Sequence, residues 1–132
     1  MDAMASTQRR LSAVLHADLT GFVRLMESDE VGTVEGLKSA QRVAFAPSIE
    51  QAGGRLVDSA GDSLLAEFAS AVGAVTAAIE IQQKMATIND ALPEGRRLLF
   101  RIGVHLGELI IDSEDHIFGD GAIADQSEGI IQ

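Results

Sequence analysis

The segment 11–17 most narrowly limits what this chain can fold into. Its residues, LSAVLHA, are almost all apolar, and the run is short. Such a run predicts a central strand that is covered on both faces of its sheet. The strand ends at Asp18, where the chain turns through Thr20 and Gly21 into a short helix. Any fold for this chain must therefore bury segment 11–17 between other elements.

Helical and strand patterns alternate along the rest of the chain. The first predicted element is a helix capped by Ser28 or Asp29, with Val31, Val34 and Leu37 on one face. Strands at 55–59 and 63–68 follow, and then a long helix that begins at Ser70 and carries a core stripe. The last predicted elements are paired strands at 98–106 and 108–112. Pro47 should kink or restart its helix, and Gly61-Asp62 should form a hairpin tip. The order β, α, α, β, β, α, β, β predicts one α+β domain, a ferredoxin-like (βαββαβ-type) sandwich.

The composition excludes several classes of protein. The chain has 132 residues, with 10 basic and 20 acidic side chains and a net charge of −10. An RNA-binding module of the same fold needs a basic surface and aromatic platforms, but this chain has no Trp or Tyr and five Phe. It has no cysteine for disulfides or thiolate metal sites. No run approaches the ~20 apolar residues of a membrane span, so we expect a cytoplasmic protein without one.

Two carboxylates stand where a metal ion could bind between them. Asp18 ends the first strand, and Asp62 lies at the tip of the hairpin expected beside it. Carboxylates completed by phosphate oxygens and water suit Mg²⁺ or Mn²⁺, and segment 19–22 could direct backbone N–H groups at an anion. Aspartates at turns also have purely structural roles, so the pattern alone leaves both interpretations open.

Four segments together resemble a known family. They are RLSAVLHADLTGF at 10–22, GGRLVDSAGDSLLAEF at 53–68, FRIGVHLG at 100–107 and IFGDG at 117–121. In this order they resemble the catalytic domain of the class III adenylate/guanylate cyclases, in a divergent bacterial form. In that family the first segment forms a metal and phosphate site, and the hairpin carries the second metal aspartate.

The resemblance implies a nucleotidyl cyclase that converts ATP, or GTP, into the 3′,5′-cyclic nucleotide and pyrophosphate. It implies two Mg²⁺ or Mn²⁺ ions held by Asp18 and Asp62, with the Leu19 carbonyl as a further ligand. The amides of Thr20, Gly21 and Phe22 would then bind phosphate. It also implies a homodimer, because in the family the metal aspartates of one chain face an Asn and an Arg of the other.

Two base-selecting positions depart from the family pattern. Asp58 stands where adenylate cyclases usually have a Lys, and His116 stands where they have Asp or Thr. A carboxylate cannot donate to the same ring acceptor unless it is protonated. The pair is not the guanylate set either, so base specificity stays open. The alternatives are a solvated Asp58 with an exposed His116, and a degenerate module that binds nucleotide or regulates a partner.

A larger departure follows Gly121. The family continues with a helix that carries the Asn and the Arg, whereas Gly121 here runs into AIADQSEGII, which resembles the segment after that helix. We therefore predict a polar lead at 1–9, a cyclase homology domain at 10–132 with an internal gap after 121, and closing strands that are absent. The prediction places Gly121 and Ala122 far apart in space, and this chain alone should be inactive. A truly degenerate domain is the alternative.

Two further interpretations concern the histidines and a related fold. His16 and His105 lie in predicted strands and are expected to pack rather than bind zinc, since the spacing of a ligand set is missing. A diguanylate cyclase-like domain shares the fold and places its signature turn on the same hairpin. The segment Gly61-Asp62-Ser63 followed by two leucines matches that turn poorly.

Overall fold

The computed structural model describes residues 8–111, 117–119 and 129–131, with side chains placed for residues 11–107. Within these ranges the chain forms an antiparallel sheet with helices packed against one face. The elements are β1 Gln8–Leu19, α1 Phe22–Ser28, α2 Glu30–Ala40, a π-helical turn Gln41–Phe45, α3 Ala46–Gln51, β2 Gly54–Ala60, β3 Ser63–Phe68, α4 Ala71–Asp90, a 3₁₀ turn Glu94–Arg96, β4 Phe100–Ile111, β5 Ile117–Gly119 and β6 Gly129–Ile131.

The strand predicted to be central is central. The sheet order is β2-β3-β1-β4-β5, and β6 also pairs with β4. β1 pairs antiparallel with β3 from Ala13 to Asp18, and with β4 along its whole length from Gln8 to Leu19. β1 therefore begins earlier than the predicted domain start at Arg10. The α+β architecture predicted from the sequence is confirmed.

The core lies between the helices and one face of the sheet. From β1 it takes Ala13, Leu15, Ala17 and Leu19, all buried. From α4 it takes the buried stripe Ala74, Ala77, Ala78, Ile81 and Met85. Small alanines bring the first part of α4 close to the sheet, and the larger Ile81 and Met85 fill the space toward its C-terminal end.

Local signals placed the helix starts correctly. The Asp29 side chain accepts a hydrogen bond from the Gly32 N–H at 3.0 Å, and Ser70 accepts one from Gly73 at 3.0 Å. The irregularity expected near Pro47 is present as the π-helical turn before α3, in which the Ala46 N–H bonds to the Gln41 carbonyl. This widened turn lets the helical backbone continue where proline cannot donate.

The second predicted hairpin, with strands at 98–106 and 108–112, is wrong. β4 runs unbroken from Phe100 to Ile111, and Gly107 pairs with Ser12 inside the ladder. A glycine weakens a strand but does not end it when a neighbouring strand supplies the hydrogen bonds on the other side. Here β1 does so over all twelve of its residues.

The apolar face predicted for α2 is only partly buried, since of its three residues Leu37 alone packs against the core. Val31 is 68% exposed and Val34 is 36% exposed, whereas the buried positions are Thr33 and Ala40. Thr33 is held inward because its hydroxyl donates to the Leu25 carbonyl at 3.0 Å. The tertiary position of α2 thus overrides its apolar periodicity.

Among the described residues, no helix combines the length and hydropathy needed to cross a membrane.

Candidate active site

Asp18 lies on the face of the sheet opposite the core. Residues that pair directly across strands share a face, so Asp18 shares one with Ser63 of β3 and Arg101 of β4. We call this the polar face and define it by Ser12, Val14, His16, Asp18, Asp58, Ser63, Leu65, Glu67, Arg101 and His105, of which only Val14 and Leu65 are apolar. The Asp18 side chain is 48% exposed, and its Oδ2 lies 3.7 Å from Nδ1 of His16. Asp18 is thus an accessible carboxylate at the end of a buried strand.

A backbone hydrogen bond places Asp62 next to the strand end that carries Asp18. The Leu19 N–H donates to the Asp62 carbonyl at 2.8 Å, and the next residue, Ser63, is the direct partner of Asp18. The hydrogen bond across the hairpin tip is made by Ser63, whose hydroxyl donates to the Ala60 carbonyl at 3.3 Å. Among the described residues, the Asp62 carboxylate accepts no hydrogen bond and forms no ion pair. It is therefore not occupied in capping its own turn.

The turn after Asp18 requires a glycine. Gly21 has φ 69° and ψ 32°, a left-handed conformation that costs other residues roughly 1–2 kcal/mol. The Thr20 N–H, one of the three amides expected to bind phosphate, donates instead to the Leu99 carbonyl at 2.8 Å. The amides of Gly21 and Phe22 have no hydrogen-bond acceptor among the described residues. An anion at this turn would therefore be bound by Gly21 and Phe22, and not by Thr20.

A β-bulge brings Asp58 to the same face as Asp18. In the β2–β3 ladder Leu56 pairs with Ala66, but Asp58 pairs with Leu65, so Val57 is the extra residue. Since side chains alternate between faces, an unbulged strand would direct Asp58 toward the helices along with Leu56. With the bulge, Asp58 lies in one row with Leu65 and His16 on the polar face. Asp58 is exposed there.

Two arginines that lie next to the site were not predicted from the sequence. The Arg24 guanidinium lies over the Gly21 turn, with Nη2 2.7 Å from where a Cβ of Gly21 would be. Arg101 is exposed and pairs directly with Asp18 across β1 and β4. Neither arginine forms an ion pair with any residue in the described ranges. The spacing of one helical turn from Gly21 to Arg24 is the signal that could have revealed the first.

The histidines expected to pack are largely buried, as predicted. The His16 side chain is 12% exposed, and His105 is partly buried opposite Val14. Nearby, Ser12 donates to Glu67 at 3.0 Å, and the Arg55 Nε donates to the same carboxylate at 3.3 Å. The polar face thus holds buried polar groups at one end and the exposed Asp18 at the other.

The remaining predicted features lie outside the described residues. These are His116 and the junction of Gly121 with Ala122. They stay predictions.

The residues present fit a divalent cation that is shared with a substrate. Among the described residues, no three His, Cys, Asp or Glu side chains converge as a metal site. Two exposed or half-buried carboxylates on adjoining backbone, Asp18 and Asp62, leave most coordination positions open. Mg²⁺ is typically bound in this way, by one or two carboxylates together with phosphate oxygens and water. The donor set is therefore suited to a cation shared with a phosphate-bearing ligand rather than to a permanently enclosed ion.

Comparisons with known proteins identify relatives of the chain. No family profile matches the chain. A Rhizobium meliloti protein named "Putative adenylate cyclase 3" is 43% identical over 119 residues, which cover 90% of this chain and 20% of that protein. The chain thus spans about one fifth of that relative's length.

Two solved structures extend the likeness. An adenylate/guanylate cyclase/hydrolase from Silicibacter pomeroyi is 37% identical with a TM-score of 0.81, over 92% of this chain and 71% of that one. The guanylyl cyclase Cya2 is 25% identical with a TM-score of 0.74, over 92% of this chain and 69% of that one. Identity at this level over most of both chains, on the same fold, establishes the relationship. The chain belongs to the class III adenylate/guanylate cyclase catalytic domain family.

Proposed function

We propose that this domain binds a nucleoside triphosphate with Mg²⁺ or Mn²⁺ and converts it to the 3′,5′-cyclic nucleotide and pyrophosphate. The observation that carries the proposal is the position of Asp62 relative to Asp18. Their backbones adjoin through the 2.8 Å bond from the Leu19 N–H to the Asp62 carbonyl. Neither carboxylate is held in a short hydrogen bond among the described residues. Both are therefore free to bind cations.

In this proposal Asp18 and Asp62 hold two metal ions, with the Leu19 carbonyl as a further ligand. Bound there, the ions would neutralise phosphate charge and favour ionisation of the ribose 3′-hydroxyl. The amides of Gly21 and Phe22, with the Arg24 guanidinium above them, bind the phosphate oxygens. The 3′-oxygen forms a bond to the α-phosphorus, the bond from that phosphorus to the bridging oxygen breaks, and pyrophosphate leaves. The proton of the hydroxyl passes to solvent.

The acidity of the chain makes the cation necessary. A net charge of −10 would repel a triphosphate unless metal ions and arginines lie between the two. Arg101 pairs directly with Asp18, and the Arg24 guanidinium lies over the Gly21 turn that follows Asp18. Neither has an ion-pair partner among the described residues. Local charge at this end of the sheet is therefore better suited to a nucleotide than the overall charge suggests.

We further propose that the active form is a homodimer and that ATP is the substrate, with GTP as the alternative. The polar face carries Asp58 in the row next to Asp18, a position suited to contact with a base. A homodimer would place a second copy against this face and supply groups that the described residues lack.

A second candidate is a module that binds nucleotide without turnover. It is favoured by Asp58 itself, because an ionised carboxylate offers no donor to an adenine ring acceptor. Turnover by the full-length protein separates the two candidates, because the 132-residue chain alone is expected to be inactive. Formation of cyclic nucleotide and pyrophosphate supports the enzyme, whereas binding without product supports the module.

The metal site is tested with Asp18→Asn and Asp62→Asn. Each change removes a charged ligand, so we expect the affinity for Mn²⁺–3′-deoxy-ATP, which cannot cyclise, to fall about 100-fold, or ~2.7 kcal/mol. Isothermal titration calorimetry measures this. The thermal midpoint should hold within a few degrees, because both carboxylates are exposed or half-buried.

Asp90→Asn is the matched control, since it makes the same change at an exposed position at the end of α4. Its affinity should equal that of the unmodified chain. Unchanged affinity in both Asp18→Asn and Asp62→Asn would show that nucleotide binding does not use these carboxylates.

A further inference from the structure

The turn proposed to bind phosphate is joined to the segment of chain that leads into β4. The Thr20 N–H donates to the Leu99 carbonyl at 2.8 Å, one rung beyond the last pair of the β1–β4 ladder. The two amides assigned to phosphate, those of Gly21 and Phe22, follow Thr20 directly in the chain. Where these amides lie therefore depends on where segment 98–100 lies.

Asn89 of α4 holds the residue before Leu99 with two hydrogen bonds. Its Oδ1 accepts the Leu98 N–H at 2.9 Å, and its Nδ2 donates to the Leu98 carbonyl at 2.9 Å. A neighbouring antiparallel strand makes the same pair of bonds to one residue, so a single side chain of α4 takes the place of a strand at this edge. Asn89 is 7% exposed and Leu98 is 3% exposed. Without the amide, two buried backbone groups would lose their partners in a place that water does not reach.

Gln82 supports the same edge two residues further along the chain. Its Nε2 donates to the Phe100 carbonyl at 2.8 Å. Gln82 and Asn89 are separated by about two turns of helix, so α4 presents both amides on one face. Alternate backbone groups of an extended chain point to the same edge, so Leu98 and Phe100 face α4 while the carbonyl between them faces Thr20. α4 thus holds from one side the segment that the turn bonds from the other side.

We propose that Asn89, supported by Gln82, is a positioning residue for the turn that binds phosphate. By holding Leu98, Asn89 fixes the Leu99 carbonyl, and this carbonyl fixes the start of the turn at Thr20. A small displacement of the two amides that follow would weaken their bonds to a phosphate oxygen, since hydrogen bonds depend steeply on distance and angle. The effect on nucleotide rests on the proposed function, whereas the link from α4 to the turn involves no ligand.

Hydrogen exchange tests the link in the ¹⁵N-labelled 132-residue chain without metal or nucleotide. Asn89→Leu preserves the approximate size of the side chain and removes both hydrogen bonds to Leu98. The Thr20 amide should then exchange about tenfold faster, because its acceptor is no longer held, and amides of the β1–β3 ladder should change less. A Thr20 amide that changes no more than the ladder would overturn the proposal.

Ile81→Ala is the control for lost stability. Ile81 is fully buried on the same helix and takes no part in these hydrogen bonds. Its truncation destabilises the core as a whole, so exchange at Thr20 and in the β1–β3 ladder should rise together. A selective rise at Thr20 in this variant would show that any loss of packing on α4 loosens the turn, and would overturn the specific role of Asn89.

Gln82→Met gives a milder version of the test and decides the question if Asn89→Leu does not fold. Gln82 is only partly buried, and the substitution removes the bond to the Phe100 carbonyl. The Thr20 amide should exchange about threefold faster. Gln83→Met makes the same substitution at the exposed neighbouring position and should leave this amide unchanged. Equal exchange in the two variants would contradict the support of the turn by α4.

The effect on ligands is measured by titration calorimetry. Asn89→Leu should lower the affinity for Mn²⁺–3′-deoxy-ATP about tenfold, and the affinity for Mn²⁺–tripolyphosphate by the same factor, because the turn contacts phosphate and not the base. Ile81→Ala, measured at a temperature at which it is folded, should bind both as tightly as the unmodified chain. Equal affinities in Asn89→Leu and the unmodified chain would overturn the positioning role.

Failure of this inference and failure of the proposed function give different results. If the unmodified chain binds neither ligand while Thr20 exchange responds to Asn89→Leu, the proposed function is wrong and the link from α4 to the turn stands. If the unmodified chain binds both ligands and Thr20 exchange does not respond, the inference is wrong and the proposed function stands.

Discussion

The two faces of β1 are built from alternate residues of one strand and differ most at its C-terminal end, since Val14 on the polar face is also apolar and buried. On the helix side Ala13, Leu15 and Ala17 are buried and apolar. On the polar face His16 is 12% exposed and Asp18 is 48% exposed, with exposure increasing toward the strand end. The same twelve-residue strand thus supplies the centre of the core and the first proposed metal ligand. A period of two lets stability and chemistry be encoded in alternate positions.

The difference between the two faces predicts which substitutions should affect stability and which should affect ligand binding. Changes on the helix side should cost stability and affect binding only through unfolding. Changes at Asp18 and its neighbours should affect ligands while the fold persists, because exposed groups contribute little to folding.

The largest expected effect on stability is on the helix side, at Leu15. This side chain is fully buried in the core, so Leu15→Ala should lower the free energy of unfolding by roughly 2–5 kcal/mol. Urea unfolding followed by circular dichroism measures it. Leu11→Ala is the matched control, because Leu11 has the same parity on the same strand but is 67% exposed. Its effect should stay within about 0.5 kcal/mol.

Equal losses at Leu15 and Leu11 would show that burial does not decide the stability contribution of a side chain on the helix side of β1. They would mean that residues 11 to 15 contribute uniformly to stability whatever their burial. The contrast between the two leucines is therefore as informative as the size of either effect.

Local sequence signals predicted much of the fold. The apolar run at 11–17, the caps Asp29 and Ser70, and the hairpin tip at Gly61-Asp62 depend on chemistry within a few residues. The structure places each of them where the sequence did. Such features need no knowledge of distant packing.

Features set by distant partners could not be predicted in this way. Gly107 continues a strand because β1 pairs along its whole length, and Val31 stays exposed because of how α2 lies on the core. The bulge at Val57 has no signal in the sequence, yet it decides which face Asp58 occupies. Register and layer position are tertiary properties, and periodicity alone does not contain them.

The candidate site divides in the same way. Its local features were predicted from the sequence, and the features that depend on distant strands were not. Strand ends and a turn place the backbones of Asp18 and Asp62 side by side, which the sequence order suggested. The Thr20 amide donates to the carbonyl of Leu99, the residue before β4, and the register between β1 and β4 sets the position of Arg101. Both features therefore depend on a distant part of the chain. The sequence therefore indicated the acidic ligands but missed the cations around them.

Asp58 tests whether the bulge gives the polar face a role in selecting the base. Asp58→Lys places a donor in the row next to His16, so adenine should gain over guanine by about 1–3 kcal/mol. The ratio of affinities for 3′-deoxy-ATP and 3′-deoxy-GTP with Mn²⁺ measures it, and turnover of ATP against GTP should follow in the full-length protein. Asp90→Lys makes the same charge change at the exposed end of α4. A ratio that moves equally in both variants would reflect charge alone and exclude Asp58 from the base site.

The smallest expected effect is at Gly21, where the polar face meets α1. A Cβ in the left-handed conformation at φ 69° costs roughly 1–2 kcal/mol, so Gly21→Ala should destabilise the fold by about that amount. The new methyl group would also meet the Arg24 guanidinium at 2.7 Å and displace this flexible side chain from above the turn. Nucleotide affinity should therefore fall several-fold beyond the loss of folded protein.

Gly95→Ala is the control, because its Cβ would have no heavy atom within 4 Å. If Arg24→Ala weakens binding as much as Gly21→Ala while leaving stability unchanged, the guanidinium contacts phosphate and the glycine keeps it in place. If Arg24→Ala binds nucleotide normally, the role of Gly21 is confined to its backbone conformation.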